Sequence, residues 1–268
     1  MLKVVSGMMN EIINSNDFKK DKYLFSLVSH NLEFDNCQII SDNNYAIIVG
    51  KPNKEIWLWT NSLDDYVIDK MIDGINDIIK ESDYSFVCKQ YLYNKLREKI
   101  DYISDTPFIY DNYVCKKIIE PRKVEGILLK PSIDDKEVIA RFWKENCEHF
   151  DYDISYELCL KFVDSWINSD KFYVWKNNGK IVSFLGYDII DNTAEISHAY
   201  TDPNERGKGY MPYLIYKVTK IILANGLVPV LNTDYSYESS NNAYKKVGFQ
   251  ETELMYSFST TLHKSKKL

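Results

Sequence analysis

The stretch "TDPNERGKGYMPYLIY" (201–216) places Arg206, Gly207, Lys208 and Gly209 in four consecutive positions, just ahead of an apolar run. Two cations and two glycines so arranged suit the holding of a phosphate group. Glycine has no Cβ to keep the backbone away, free N–H groups at a helix N-terminus point outward, and the positive end of the helix dipole lies behind them. Arg206 and Lys208 then neutralise charge at the rim. A solvated basic turn has the same composition, so the loop alone leaves both readings open. Spacing excludes two other phosphate loops. A Walker loop needs Ser or Thr after its Gly-Lys to hold magnesium, and Gly209 stands there. A dinucleotide-binding turn needs a third glycine in a parallel βαβ unit, and Pro212 occupies that place after antiparallel strands.

Glu195 and His198 lie on the strand entering this loop, and their odd separation predicts opposite faces. Either is a candidate general base, acting directly or through water, and Glu195 is preferred. Asp234 is read as a turn cap. No Cys or Ser sits in a nucleophile motif, so no covalent intermediate is expected. The five cysteines have no C-x-x-C spacing and are read as reduced core thiols, with no metal site.

The elements that must position these residues are clearest in the second half. "GILLKP" predicts a strand. "SIDDKEVIARFWKENCEHF" predicts a helix capped by Ser132, with Ile139, Phe142, Trp143 and Cys147 on its apolar face. A second helix follows, with Leu158, Phe162 and Trp166 on one stripe. Three antiparallel strands are predicted across 171–201, turning at Asn177-Asn178-Gly179 and Asp191-Asn192, the last strand spanning roughly Ala194 to Thr201. Next come a helix from about Gly209 to Gly226 with Leu214, Val218 and Ile221 on one face, a strand "LVPVLNTD", a short helix ending at Gly248, and a final strand "ETELMYSFST".

In the first half "YAIIVG", "IWLWT", "YSFVCKQ" and "YVCKKII" read as strands, with helices at "SLDDYVIDKMIDGINDIIKES" and "YLYNKLREKI". Trp57 and Trp59 share a strand face and are read as core. This order echoes the end of the second half. It predicts two related lobes, 1–122 and 123–268, divided near "IIEPRKVEG", where Pro121 and a charge cluster interrupt the periodicity.

With 45% hydrophobic and 27% charged residues, the 268-residue chain is a folded globular protein. Its net charge of -6 gives no field for a polyphosphate backbone, so nucleic acid is not an expected partner. Neither a leader-type apolar region nor a membrane-length apolar window is present, and a cytoplasmic location is expected.

Three motifs in order resemble the GNAT superfamily of acyl-CoA-dependent N-acyltransferases, and most closely its glycine-N-acyltransferase-like branch: "AYTDPNERGKGYM", "VPVLNTD" and "SSNNAYKKVGF". The resemblance covers about residues 126–260. It implies an α/β (α+β) fold, a mixed and mostly antiparallel sheet flanked by helices, preceded here by a smaller, degenerate GNAT-like lobe. It implies transfer of acetyl from acetyl-CoA to a primary amine by direct attack, the alternative being an inactive module of the same fold that senses coenzyme A or binds a partner. Arg206, Gly207, Lys208, Gly209, Tyr210 and Met211 would bind the diphosphate of coenzyme A, and the backbone of Ala199, Tyr200 and Thr201 the pantetheine arm. Tyr244 would protonate the leaving thiolate, and a phenol of pKa about 10 suits that task.

Two positions depart from the family pattern. Met211 stands where Gly or Ala is usual and is expected to crowd the phosphates. Tyr237 stands where Asn is usual, so a contact to the pantetheine arm is either lost or taken by Asn241, which shares a helix face with Tyr244. In the first lobe "TNSLDDYVIDK" has no glycine and is acidic, so no second donor site is expected. The partners implied are acetyl-CoA and an amine, with no membrane, in a monomer or homodimer.

Overall fold

The computed structural model describes residues 3–5, 11–12, 14–25, 37–50, 55–79, 84–104, 106–149 and 152–260. Two compact units emerge: Met1–Asn112 with Asn232–Ser236 and Glu251–Leu268, and Tyr113–Leu231 with Tyr237–Gln250.

In the first unit β1 (Lys3–Val5), β2 (Cys37–Ser41), β3 (Tyr45–Gly50), β4 (Glu55–Thr60) and β5 (Ser85–Lys89) lie side by side in chain order. All pairs are antiparallel except β4 with β5, because α2 (Asp65–Ile78) crosses between those two. The alternation of β4 sorts its side chains onto two cores. Ile56 and Leu58 pack with Met71 and Ile75 of α2. Trp57 and Trp59 pack with Phe18 of α1 (Asn16–Asp21) and with Phe25, confirming the reading of the two tryptophans as core. Each such burial contributes about 1.5–3 kcal/mol. The Trp59 indole N–H donates to Asp21 at 2.8 Å, and the same carboxylate pairs with buried Lys89 at 2.6 Å.

The free edge of β5 is taken by the last strand of the sequence, β12 (Gln250–Ser259), which sets Tyr256 against Cys88 and Phe258 against Phe86. Met255 and Phe258 complete the two cores of this unit, and the Phe86 and Phe258 rings stack at 5.5 Å. The observed units therefore divide differently from the expected cut near residue 122, Met255 and Phe258 of β12 lying in the cores of the first unit. The strand expected at 113–119 is β6 (Phe108–Val114). Its centre holds buried Asp111 and Asn112, whose polarity hides the strand pattern. Asn112 is satisfied by β12: its amide donates to the Glu253 carbonyl at 3.0 Å, and its carbonyl accepts from the Thr252 hydroxyl at 3.1 Å. The elements before Tyr45 were not anticipated, being too short to show a period. α3 (Gln90–Lys99) occupies the expected helix.

The second unit has the strand order β11-β10-β9-β8-β7: β7 (Ile127–Leu129), β8 (Phe172–Asn177), β9 (Lys180–Ile190), β10 (Thr193–Thr201) and β11 (Val228–Asp234). The three-strand meander matches the expectation, and both Asn178 and Gly179 of the first hairpin have positive φ, as a type I′ turn requires. α4 (Lys136–His149) begins after a short 3-10 turn closed by Ser132 and Asp135, whose carboxylate also pairs with Lys176 at 2.6 Å. α5 (Tyr156–Ile167) departs from the expected stripe: its buried face is Cys159 and Val163, while Leu158 and Phe162 are each 42% exposed. α6 (Tyr210–Ala224) buries Leu214, Val218 and Ile222 against the other face of the sheet, and α7 (Glu238–Val247) joins it there. Both units thus share one device, an antiparallel meander followed by a helical crossover into a parallel strand.

Candidate active site

The site grows from the end of β10. This strand pairs in parallel with β11 only through Thr193–Glu195 against Val228–Val230. From Ile196 onward the recorded partner of β10 is β9, and that ladder carries a bulge. Ser197 faces Gly186 and Tyr200 faces Phe184, so His198 and Ala199 together oppose the single Leu185. His198 sits in the left-handed region, with φ of 57°. The bulge overturns the parity expected for Glu195 and His198. Register places Glu195, Ser197 and Tyr200 on the face covered by α4 and α5, and the His198 ring lies on that same side, 5.1 Å from Trp143 and 4.6 Å from Trp166. Glu195 is buried. The His198 Nδ1 lies 2.6 Å from the Ser197 hydroxyl. Burial holds the imidazole below its ordinary pKa, with Asp188 pulling weakly the other way.

The expected donor-arm segment is well anchored. Ala199 packs toward the α6 side of the sheet. Tyr200 is buried against Phe142 and Phe184 and donates its hydroxyl proton to Glu145 at 2.9 Å; burial first, then that carboxylate, raises its pKa. The Thr201 and Ser183 hydroxyls meet at 2.9 Å.

The loop then turns through Pro203–Glu205, capped by Asp202, which accepts from the Asn204 amide at 2.9 Å. The Arg206 side chain donates to the Thr201 carbonyl at 3.2 Å, and Lys208 pairs with Glu205 at 2.7 Å. Gly207 and Gly209 have φ of 77° and 91°, which an L side chain rarely adopts. A Cβ at Gly207 would meet no atom within 4 Å, whereas one at Gly209 would touch Val124 at 3.4 Å. α6 starts at Tyr210 with no acidic side chain in its first turn, and helix geometry leaves the leading N–H groups without intrahelical acceptors. Pro212 is tolerated in that turn for the same reason.

Tyr210 is buried, its hydroxyl accepting from the Asn177 amide at 2.6 Å, so its side chain faces inward while its backbone opens the helix. Met211 is half-buried and packs against the core beneath α6. By contrast α2 in the first unit is capped by the carboxylate of Asp64, which accepts from the Tyr66 amide at 2.9 Å, so a fixed negative charge already holds that helix end.

On α7, Asn241 and Tyr244 share one face, as their spacing predicted, and the structure buries both. The Tyr244 ring lies 6.2 Å from Tyr113 and 6.0 Å from Phe249. Burial raises its pKa, against a weaker opposing hydrogen bond from Ser240, so the phenol is protonated at neutral pH. Asp234 forms the expected turn, accepting from the Ser236 amide and hydroxyl at 2.7 Å each.

Residue spacing did not reveal a pocket of about 360 Å³ between α4, α5 and the bulge, walled by Trp143, Cys147, Phe162, Trp166 and His198. Its signal was Phe162 and Trp166 on the stripe of α5, which line this pocket, Trp166 also stacking on buried Phe172 at 4.9 Å.

A strand that leaves its parallel neighbour, a bulge, and a glycine loop opening a helix together agree with one known family. Residues 138–249 form a GNAT-family acetyltransferase domain, matching the model described as the acetyltransferase (GNAT) family. The matched span contains the bulged strand, the glycine loop and α7. In three dimensions the chain resembles a GNAT-family acetyltransferase from Colwellia psychrerythraea, with TM-score 0.65 and 12% identity over 97% of this chain and 99% of that one. It also resembles a Drosophila protein, with TM-score 0.64 and 10% identity over 97% of each chain. A GCN5-related N-acetyltransferase from Sphaerobacter thermophilus gives 0.58 at 12% identity, over 81% of this chain and 80% of that one. At such identities the likeness establishes the GNAT fold. No curated protein matches the chain in sequence. Among the described residues no helix is long and apolar enough to cross a membrane, and no group of His, Cys, Asp and Glu could hold a metal ion.

Proposed function

We propose that the second unit is an acyl-CoA-dependent N-acyltransferase of the glycine-N-acyltransferase-like branch, moving acetyl from acetyl-CoA to a primary amine in the cytoplasm. The loop carries this reading: two glycines in left-handed backbone lead directly into the N-terminus of a 15-residue helix whose first turn is free of acidic side chains. Backbone N–H groups from Gly207 to Met211 would hold the donor's diphosphate, with Arg206 and Lys208 screening its charge. The edge of Ala199–Thr201 would pair with the pantetheine arm, and Asn241 would add a contact from α7.

In this reading the amine nitrogen forms a bond to the acyl carbon as the carbon–sulfur bond breaks. Tyr244 gives its phenol proton to the departing thiolate, burial keeping the phenol protonated at neutral pH until that charge develops. Glu195 takes the proton the amine sheds, directly or through water. The fixed backbone and the positioning of both reactants supply most of the rate.

Calorimetric titration with acetyl-CoA, followed by acetyl transfer over a panel of amines, tests the assignment. Failure of both acetyl-CoA and free coenzyme A to bind would overturn it, and binding without turnover of any amine would leave a non-catalytic coenzyme A sensor.

A further inference from the structure

The pocket beside the bulge has a composition that selects its guest. Trp143 and Trp166 meet edge to face at 5.2 Å, and the His198 imidazole lies against both rings. Phe162 lies nearly parallel to Trp166 at 6.4 Å, and Cys147 and Ile154 add apolar surface. Asn146 and the Tyr152 hydroxyl, with the His198 ring nitrogens, supply the polar atoms of the wall. Among the described lining residues there is no Asp, Glu, Lys or Arg. A guest with a charged or strongly hydrated body would lose its water here without a partner in return. A flat apolar ring would instead find faces and edges arranged for offset and T-shaped contact. The volume, about 360 Å³, lies within the range of small-molecule sites.

Two observations connect this pocket to the reaction. His198 belongs to the bulge and is followed directly by Ala199–Thr201, the segment assigned to the donor arm, so a guest in the pocket lies next to the strand that presents the acyl group. Phe162 and Tyr152 are 42% and 63% exposed, apolar surface left in contact with water at the rim of the pocket.

We propose that this pocket binds the acceptor and that the acceptor is an aromatic amine, a primary amino group on a short arm attached to an uncharged ring. The ring sits among Trp143, Phe162, Trp166 and His198, and the arm carries the amine toward the end of β10. The proposal rests on the acyltransfer reading for its chemistry but not for the binding of the ring.

Direct binding and turnover are measured separately, with 2-phenylethylamine as the probe and putrescine as the aliphatic comparison. Quenching of tryptophan fluorescence and line broadening in the ligand's NMR spectrum report binding without acetyl-CoA. The expected result is saturable binding of 2-phenylethylamine at least about tenfold tighter than that of putrescine. Phe162→Ala and Tyr152→Ala alter exposed side chains and leave the fold intact. Phe162→Ala should weaken 2-phenylethylamine by about tenfold, raise its KM in the transfer assay, and leave acetyl-CoA affinity unchanged. Equal or weaker binding of the aromatic amine relative to putrescine overturns the proposal whether or not the protein is a transferase. So does unaltered binding in both variants. Loss of acetyl-CoA binding in the wild type, with ring binding intact, would overturn the acyltransfer reading alone.

Discussion

Gly207→Ala separates the loop as a cradle from the loop as a turn. Its φ of 77° places Ala in the left-handed region, at a cost of about 1–2 kcal/mol. No atom lies within 4 Å of the added methyl, so no clash within the protein adds to that figure. At about 2–4 °C per kcal/mol for a domain of this size, melting should fall by roughly 2–8 °C. The structure contains its own control. Gly179, in the turn between β8 and β9, has φ of 75° and equally open surroundings, so Gly179→Ala carries the same strain away from the loop.

The two variants should therefore melt alike and differ in ligand binding. The methyl at position 207 projects into the space where the diphosphate would approach the backbone, and acetyl-CoA affinity should drop by about tenfold or more, a loss of about 1.4 kcal/mol. Gly179→Ala should bind as the wild type does. Calorimetric titration of all three proteins, with melting curves on the same samples, reads both quantities. Full acetyl-CoA affinity in Gly207→Ala would refute the placement of the diphosphate. An equal loss in Gly179→Ala would show that strain, not approach to the backbone, governs binding.

Tyr244→Phe should reduce turnover by about 100-fold or more with acetyl-CoA affinity retained, measured by thiol release; unchanged turnover would remove the phenol from the reaction. Met211→Ala should lower stability by about 1–3 kcal/mol, because the side chain packs on the core, and leave acetyl-CoA affinity equal or better; a marked loss of affinity would mean that the ligand lies elsewhere. In Asp135, burial works to raise the carboxyl pKa, but Lys176 and the Ser132 amide outweigh it and leave the pKa lowered. A depressed folded-state value contributes stability above the unfolded carboxylate range and loses it as pH falls through the folded value. Asp135→Asn should thus cost about 1–2 kcal/mol near pH 7, and the gap to wild type in denaturant melts should start to narrow below about pH 4 and close only below the depressed folded-state value.

Local patterns made most of the second unit legible. Alternation marked β8 to β10, Asn178-Gly179 marked a turn, Ser132 marked a helix start, and the glycines of 206–209 marked a helix entrance, because each signal depends on neighbours a few residues away in the chain. The spacing of Asn241 and Tyr244 likewise predicted a shared helix face. Long-range pairing was not legible. The place of β12 beside β5 depends on Met255 and Phe258 filling cores built by residues more than a hundred positions earlier, and buried Asn112 makes sense only with Thr252 and Glu253 present to bond it.

The bulge is the most consequential of these decisions. A two-residue period assigned Glu195 and His198 to opposite faces, yet one extra residue opposite Leu185 turned His198 onto the side of Glu195 and against Trp143 and Trp166. Met211 shows the same division. Its residue type alone suggested an obstruction, whereas its half-burial against the core depends on what α6 packs on. The sequence by itself determined the chemistry on offer, a glycine loop, a phenol and a carboxylate, because residue type and local conformation are short-range properties. Tertiary structure alone decided on which side of the sheet each of these groups lies, since strand register and helix packing are settled by contacts between distant segments.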